Sequence, residues 1–436
     1  MSDRETDLGL PEAGAATALT ERLLTLDGYG QRVSTYRFDL LNVNLEVTGT
    51  LPVRLGGSIE NNINSSIKRS LSGMVLPPSI EAEVLNPLVA RLRPVMVLSD
   101  GTEWPLGVFI FTDVSRTLMT GTSGFAEATL ADQLVMLDQP VHREVSFRPG
   151  TIIAEAIERL LRDWGMVRRY SIEVSAARVS GTEFVTWAAG TSLLEILGDL
   201  CEMAGYYSVY FDNTGIAQVI KAPELASLPA VLRYGEAPRE QRAVAGSIVV
   251  SDDLIDAPNR YIVVNNSLTD SPVSGYWDVP SSAPNSYANI GRIIAVVHDS
   301  QGVSTNADAA AAAKARGQSD ASTYSWVSFD AVPDPRHDTF DIVSWNGINH
   351  REQSWSLPLQ VGDVMKHELR RVYDEPTYTQ TLTGASAESF DVVADMGTLH
   401  DIETPADLAV PWFSPDDRLA VPQYVAEERE NYEHQR

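Results

Sequence analysis

The hydrophobic period of this chain changes twice, and that change constrains the fold more than any other feature of the sequence. Apolar residues alternate with polar ones from about residue 31 to 145, recur at three- and four-residue steps from 146 to 225, and alternate again from 226 to 374. Alternation is typical of half-buried strands, and the longer steps are typical of amphipathic helices. The pattern predicts a β-rich α+β protein, with two β regions on either side of an α/β portion.

The first β region contains a change of phase and a tight turn. The first set of alternating apolar residues consists of Tyr36, Phe38 and Leu40. The second set, which alternates in the opposite phase, consists of Leu41, Val43, Leu45 and Val47. A slip of one residue predicts a bulge or a sharp bend. Ser99-Asp100-Gly101 predicts a hairpin turn, and Pro105 favours an edge position for the strand after it. Short, bent strands of this kind favour a small barrel.

The α/β portion begins with the sequence GTIIAEAIERLLRDWG, residues 150–165. Its apolar residues predict an amphipathic helix. We expect Thr151 to cap the first turn and Gly165 to adopt the left-handed conformation after the last one.

A second helix sequence, GTSLLEILGDLCEMAG, follows at residues 190–205. Ser192 and Glu195 have the spacing of a capping box, and Gly205 is placed to end the helix. Directly after it, YYSVYF and IAQVI predict two strands of a hairpin around the turn 212–215.

The second β region contains two clear strand sequences, RYIVVNN at 260–266 and RIIAVVHD at 292–299. Between them, residues 271–288 are rich in Ser, Pro and Asn, which predicts a long polar loop. The sequence ADAAAAAKARGQ at 307–318 predicts an alanine-rich helix that serves as a spacer or as a packed element.

The two ends of the chain differ from its middle. Residues 1–30 are polar and acidic at the start, which does not match a signal peptide, and no apolar run is long enough to span a bilayer. Residues 375–436 carry five prolines and a large excess of carboxylates, so we expect an extended arm. Its apolar residues, Trp412, Phe413 and Tyr424, suit either docking on a neighbouring protein or contact with the rest of this chain.

The formal net charge of −26 disfavours binding to nucleic-acid backbones or to anionic membranes. A single cysteine, Cys201, excludes an internal disulfide framework, and its place within the second helix predicts a buried, inert thiol.

Candidate catalytic and metal-binding groups are few. The seven histidines form no HxH or HExxH motif, which argues against a zinc site. His298-Asp299 and Arg336-His337-Asp338 are conceivable catalytic groups but are more typical of surface loops. No nucleophile elbow, phosphate loop or dinucleotide motif is present, and no carboxylate pair stands out as glycosidase machinery. We therefore predict a structural protein rather than an enzyme, with no catalytic, cofactor-binding or metal-binding residues.

Four stretches in a fixed order resemble the minor tail or baseplate hub proteins of long-tailed bacteriophages, especially siphovirus-like phages of actinobacteria, with the fold of the hub in contractile-tailed phages. They are GTEWPLGVFIFTDVSRTL at 101–118, RPGTIIAEAIERLLRDWG at 148–165, the helix–hairpin module at 190–219, and VPDPRHDTFDIVSWNG at 332–347 followed by WSLPLQVGDVMKHELRRV at 355–372. The resemblance covers about residues 30 to 375, and the acidic arm has no counterpart.

The resemblance implies two similar small β-barrels, at 31–145 and 226–374, joined by an α/β domain at 146–225 that holds both helices and the hairpin. It also implies a homotrimer at the tail tip of the virion, assembled in the host cytoplasm. Three chains would present six similar units to the sixfold tail tube or distal tail protein, and a threefold face to tip or fibre proteins. Double-stranded DNA would leave through the central channel without specific binding, and carboxylates along it would keep the DNA from sticking.

Two other functions remain open at this stage. One is a tail-associated enzyme that degrades the cell wall, and the other is a tip protein that binds a host receptor or carbohydrate. Either function would require a site that the sequence motifs do not identify.

Overall fold

A computed structural model describes residues 34–77, 86–119, 122–179, 184–222, 225, 228–235, 241–252, 255–265, 273–300, 303, 305–319 and 325–373. All of these lie in the first of two compact units, Met1–Thr377. The second unit, Tyr378–Arg436, lies outside the described residues, as does the predicted N-terminal segment 1–30. The predicted arm at 375–436 therefore also lies outside the described residues.

Strands dominate the described part of the chain. Their bounds are β1 Ser34–Leu41, β2 Val47–Thr50, β3 Ser58–Asn62, β4 Arg69–Leu76, β5 Arg91–Leu98, β6 Glu103–Pro105, β7 Phe109–Met119, β8 Thr122–Asp132, β9 Val145–Phe147, β10 Tyr170–Ile172, β11 Val185–Trp187, β12 Tyr210–Phe211, β13 Ala217–Val219, β14 Leu232–Tyr234, β15 Val249–Asp252, β16 Arg260–Asn265, β17 Val273–Asp278, β18 Ala295–Asp299, β19 Ser325–Ala331, β20 Ile342–Trp345, β21 Ile348–Pro358 and β22 Met365–Arg371.

Five helices accompany these strands in the same residues. They are α1 Leu134–Leu137, α2 Ile153–Asp163, α3 Leu193–Ala204, α4 Tyr287–Ile290 and α5 Asn306–Ser319. The protein is thus β-rich with few helices, as the change of hydrophobic period predicted. No helix in the described segments is long and apolar enough to cross a membrane.

One sheet of 14 strands contains most of both β regions. Its hydrogen-bonded order is β15-β19-β22-β21-β3-β4-β8-β7-β5-β1-β2, with β20 and β14 branching from β21 and β6 branching from β5. The two regions join where β21 pairs with β3, from Ser354 opposite Asn62 to Pro358 opposite Ser58. Because the path has two open ends, the described strands form no closed barrel, and the expected pair of separate barrels is not confirmed.

The hydrophobic core also crosses the expected boundary between the two β regions. The cluster around Ile59, Leu71 and Phe109 includes Trp355 and Met365 from the closing strands. Strands near residue 360 therefore complete the core that begins near residue 38, and this shared burial holds the β3–β21 seam in register.

The predicted irregularity near Leu40 is present, but the chain does not continue as one strand beyond it. The β1–β2 ladder shifts register between Leu40 and Leu41, which is the expected bulge. A turn then follows, in which Leu45 has a φ of 64°. Val43 and Val47 are 49% and 54% exposed, so the prediction that they continue a buried alternation was wrong.

The turn at 99–101 and the edge position of Pro105 are both confirmed. The Leu98 N–H donates to the Thr102 carbonyl at 2.9 Å, which closes the hairpin between β5 and β6. Pro105 is the last residue of β6, a strand that pairs only with β5 among the described strands. Its missing N–H therefore costs no ladder hydrogen bond.

Helix α2 buries the predicted apolar face, but its two ends differ from the prediction. Residue Ile152 occupies the N-cap, so Thr151 does not cap the helix. The left-handed residue is Met166, with a φ of 52°, and not Gly165. Glycine is needed at 165 because a Cβ there would lie 2.4 Å from Leu137 Cδ2.

Helix α3 has the predicted cap residue and end, but the Ser192 bond goes to the Leu194 N–H and not to the Glu195 N–H that a capping box requires. The Ser192 hydroxyl accepts a hydrogen bond from the Leu194 N–H at 3.1 Å, and Gly205 ends the helix with a φ of 67°. Cys201 is 1% exposed, and burial raises the pKa of its thiol to about 12, which agrees with an inert cysteine. Helices α2 and α3 share one apolar core with the hairpin β12–β13.

The predicted loop at 271–288 contains a strand, so that prediction was wrong. Residues 273–278 form β17, which pairs with β16 along its whole length. Tertiary pairing overrides the polar composition here because β17 also packs against α5. The alanine-rich helix is confirmed as a packed element, since Ala309, Ala312 and Ala313 are buried in the core it shares with Val263 and Val273.

Candidate functional sites: the hairpin junction and a histidine–glutamate cluster

The hairpin turn at 212–215 is a rigid loop held by one carboxylate. Asp212 Oδ1 accepts hydrogen bonds from the Thr214 N–H at 2.8 Å, the Thr214 hydroxyl at 2.7 Å and the Ile216 N–H at 3.0 Å. The chain needs this rigidity because the turn inserts between the two β regions. We call the turn and its contacts the hairpin junction.

On one side, the hairpin junction contacts the first β region. The Gly107 N–H donates to the Asn213 carbonyl at 3.0 Å, and Gln133 Nε2 donates to the Gly215 carbonyl at 3.1 Å. Gly215 has a φ of 83°, and a Cβ there would lie 2.7 Å from Val108 Cγ2. The turn therefore packs against the first β region only with glycine at this position.

On the other side, the hairpin junction contacts the loop between β19 and β20. Asn213 Nδ2 donates to the His337 carbonyl at 2.9 Å, and the Asn213 N–H donates to Asp338 Oδ2 at 3.3 Å. One turn thus touches both β regions, and this contact explains why the chain devotes a compact helix–hairpin module to the segment between them.

Arg69 links the three parts of the hairpin junction through its guanidinium group. Its side chain is 1% exposed. Nη1 donates to Asn213 Oδ1 at 2.6 Å, and Nη2 donates to Asp338 and to Thr339 Oγ1, the latter at 3.2 Å. Planar guanidinium groups suit such multiple contacts because their donors have fixed directions.

A second carboxylate lies behind Asp338. The Asp338 N–H donates to Asp341 Oδ2 at 2.7 Å. Burial raises the pKa of Asp341 well above its ordinary value, and the Asp338 carboxylate adds to this effect. The loop therefore keeps a half-buried acidic pair in place through backbone donors and Arg69.

Three buried side chains form the histidine–glutamate cluster, which consists of His337, Glu352 and His367. His337 Nδ1 lies 2.5 Å from Glu352 Oε2, and His367 Nδ1 lies 2.7 Å from Glu352 Oε1. One ligand atom from each residue falls within 4.8 Å of the others. Their side chains are at most 2% exposed.

The strands explain how these residues meet. Glu352 lies on β21 beside a register shift between Glu352 and Ser354, and His367 lies on the neighbouring strand β22. The bulge changes which face Glu352 points to, and four consecutive residues from His350 to Gln353 are buried as a result. His337 comes from the β19–β20 loop.

The side chains around the cluster are aromatic, and burial changes the pKa of each of its three groups. Tyr234 Oη lies 2.8 Å from His337 Nε2, and the Phe329 ring stacks on His367 at 4.9 Å between centroids. Burial lowers the pKa of His337 to about 4 and also lowers that of His367. Burial raises the pKa of Glu352, against the opposing effect of the His367 hydrogen bond.

The β19–β20 loop is fixed further by an ion pair. Asp334 is fully buried, and its Oδ2 accepts hydrogen bonds from Arg336 Nη2 at 2.6 Å and Gln241 Nε2 at 2.5 Å. Arg336, His337 and Asp338 therefore lie in a buried network, and the expectation of a surface loop was wrong.

The remaining candidate residues are dispersed. His298 and Asp299 lie on β18, His142 stacks on Trp164 at 5.1 Å, and His350 Nδ1 donates to the Ile348 carbonyl at 2.9 Å. His400 and His434 lie outside the described residues. Sequence inspection missed the cluster because its members are each 15 positions apart, which matches no local metal motif.

Comparisons with known proteins give likenesses of structure alone. No protein-family model and no curated protein matches the sequence. The tail protein from Neisseria meningitidis MC58 is similar with a TM-score of 0.52 and 12% identity, over 78% of this chain and 97% of that one. The 43 kDa tail protein of prophage MuSo2 from Shewanella oneidensis gives a TM-score of 0.49 and 10% identity, over 78% and 98%.

A prophage tail protein from Listeria monocytogenes EGD-e likewise gives a TM-score of 0.49 and 10% identity, over 76% of this chain and 94% of that one. The likeness of fold rests on the Neisseria protein, which has the higher TM-score and is matched over nearly its whole length. This chain therefore has the fold of a tail protein.

Proposed function

We propose that this chain is a structural protein of a bacteriophage tail, without enzymatic activity, and that it forms the hub at the tail tip. The observation that carries the proposal is the fold shared with the Neisseria tail protein, at 97% coverage of that chain. The order of the four sequence stretches supports the same conclusion, and it favours a siphovirus-like phage of actinobacteria.

In this proposal the hub is a homotrimer that adapts the sixfold tail tube to a threefold tip. Each chain contributes two quasi-equivalent β modules, 31–145 and 226–374, held together by the α/β portion 146–225. The hairpin junction supports this role because it fixes both modules to one rigid turn. A symmetry adapter needs that rigidity, since errors in the angle between modules would keep the ring from closing.

The open ends of the large sheet offer a way for the ring to close. Strands β2 and β15 each pair with a single neighbour among the described strands, so each leaves one edge without a strand partner there. Val249 and Val250 on β15 are 51% and 61% exposed. Such edges pair readily with another chain, and pairing of unlike edges in a head-to-tail manner generates rings.

The excess of negative charge fits a channel through which DNA leaves. Carboxylates repel phosphates, so the DNA passes without the counterion release that gives stable binding. In the proposed virion, the tail tube or distal tail protein lies above the hub, and tip or fibre proteins contact it below through the arm at 375–436.

The oligomeric state of the full chain tests the proposal. We expect native mass spectrometry to give a trimer for the wild type and a monomer for Val250→Lys, because a charge on the edge of β15 opposes pairing. The matched control is Val174→Lys, at an 85% exposed position in a loop, which should remain trimeric. A wild type that stays monomeric when mixed with tail tubes, and does not bind them, would exclude the hub.

Assays on host material separate the two other functions. A cell-wall enzyme would release fragments from purified peptidoglycan, and a receptor-binding tip protein would bind host cells saturably. The hub proposal expects neither activity from the isolated chain. Turnover that one carboxylate substitution abolishes would overturn the non-enzymatic assignment.

A further inference from the structure

The geometry points to a structural binding site for a divalent transition-metal ion, of the Zn²⁺ class, formed by His337, Glu352 and His367. The site does not depend on the proposed function. It would join the β19–β20 loop to β21 and β22, and β21 is the strand that pairs with β3 where the two β regions meet.

The donor set suits such an ion. Two imidazole nitrogens and a carboxylate are ligands that Zn²⁺ and its neighbours accept, whereas Mg²⁺ and Ca²⁺ prefer oxygen alone. Each oxygen of Glu352 already faces one imidazole, so a bidentate carboxylate would supply four donor atoms in all.

The charge balance of the cluster also favours a cation. Glu352 is buried, and among the described residues no lysine or arginine forms an ion pair with it. A buried carboxylate without a cationic partner is costly, and the two imidazoles relieve the cost only by hydrogen bonding. A divalent ion would neutralise the carboxylate directly.

One ring nitrogen in the cluster has no partner among the described residues. His367 Nε2 is buried and makes no hydrogen bond to any of them, whereas His337 Nε2 contacts the Tyr234 hydroxyl at 2.8 Å. If both rings are neutral and donate from Nδ1 to Glu352, the His367 Nε2 lone pair is buried without a donor. The same atom would carry the proton in a metal-bound cluster, so its lack of a partner within the described residues does not distinguish the two states, and the case for the ion rests on the donor set and the charge.

Metal binding requires a small rearrangement with a definite proton balance. Each neutral ring moves its proton from Nδ1 to Nε2, and the two N–H···O bonds are replaced by metal–nitrogen and metal–oxygen bonds. Zn–N and Zn–O bonds of about 2.0–2.2 Å place ligand atoms roughly 3 Å apart, so each N···O separation must widen by about half an ångström. The Tyr234 hydroxyl then accepts the His337 Nε2–H as an outer contact of the metal-bound histidine, whereas the His367 Nε2–H has no acceptor among the described residues.

The burial of the cluster determines how the test is designed. Because the three side chains are buried, the ion should enter while the chain folds. Untagged full-length protein is unfolded in urea and refolded with Zn²⁺ or with EDTA, and then desalted. We expect one equivalent of zinc per chain by elemental analysis after refolding with Zn²⁺, and a higher urea midpoint than in the EDTA sample.

Two variants and a control locate the site. Glu352→Gln and His367→Gln should retain less than a tenth of the zinc, which corresponds to a loss of more than about 1.4 kcal/mol in binding free energy. His350→Gln, at a buried histidine two positions from Glu352 on the same strand, should retain it. Absence of stoichiometric zinc in the wild type would overturn the site, and so would its retention in folded Glu352→Gln or its loss in His350→Gln.

A spectroscopic readout covers the case in which the two variants do not fold. Refolding of the wild type with Co²⁺ should give visible absorption bands of a four-coordinate nitrogen and oxygen site, and Zn²⁺ should displace them. A spectrum of hexa-aqua Co²⁺ only would overturn the proposal without any variant.

Discussion

Replacement of Arg69 by methionine tests whether the hairpin junction holds the two β regions together. Methionine fills a similar volume, so the change removes the guanidinium contacts to Asn213, Asp338 and Thr339 without opening a large cavity. Loss of one partner from a buried ion pair costs about 3–5 kcal/mol, because the other charge is left uncompensated.

Two features of the junction place the expected cost at the lower end of that range. The Asp338 side chain is 25% exposed, so water compensates part of the loss. Arg69 Nε is buried and makes no hydrogen bond to any described residue, so its removal offsets some of the penalty. We therefore expect Arg69→Met to lower the free energy of unfolding by about 3 kcal/mol.

Urea unfolding followed by tryptophan fluorescence measures this change. The double variant Arg69→Met/Asp338→Asn should be more stable than the sum of the single changes predicts, with a coupling energy of about 2 kcal/mol. Arg54→Met, at an exposed arginine, should change stability by less than about 0.5 kcal/mol. A coupling energy near zero would refute the view that Arg69 and Asp338 act as one buried pair.

Three further predictions concern single elements of the fold. Gly165→Ala should lower the free energy of unfolding by about 1–3 kcal/mol, because its Cβ would overpack against Leu137. Leu137→Ala in the same chain should relieve that clash, and a double variant whose effects are simply additive would contradict this reason. Ser192→Ala should lower the free energy of unfolding by about 1 kcal/mol, because it removes the cap of α3, whereas Thr151→Ala should leave it unchanged. Equal losses of stability in thermal unfolding of the two variants would show that the cap assignment is wrong. Burial raises the pKa of Asp132 from 3.8 to about 6, so the folded state holds a proton that the unfolded state has released between these values. The unfolding free energy of the wild type relative to Asp132→Asn should therefore fall as pH rises from 4 to 7, by up to about 3 kcal/mol, and a flat difference would contradict it.

Local signals in the sequence were enough for the helices and the tight turns. The spacing of apolar residues gave α2 and α3 with their buried faces, because a helix repeats within a few residues and its packing face is set by that repeat. Ser192 and Gly205 were identifiable for the same reason, since a cap depends on residues within one turn.

Contacts between distant segments could not be predicted in this way. The hydroxyls of Ser58 and Ser356 lie 2.9 Å apart across the β3–β21 seam although 298 positions separate them. Alternation shows that each strand has a buried face, but the choice of partner depends on how all strands together bury that face. The expectation of two separate barrels came from the resemblance to tail hub proteins, and the alternation within each β region carries no information about pairing between the regions.

The amino-acid sequence alone determined the fold class, the two helices, the hairpin and its turn, because each depends on residues close together along the chain. Only the tertiary structure decided that the two β regions share one open sheet, that Arg69 meets Asp338, and that His337, Glu352 and His367 converge. Burial brings such polar groups together because each must find a partner once water is excluded, and that partner can lie anywhere in the sequence.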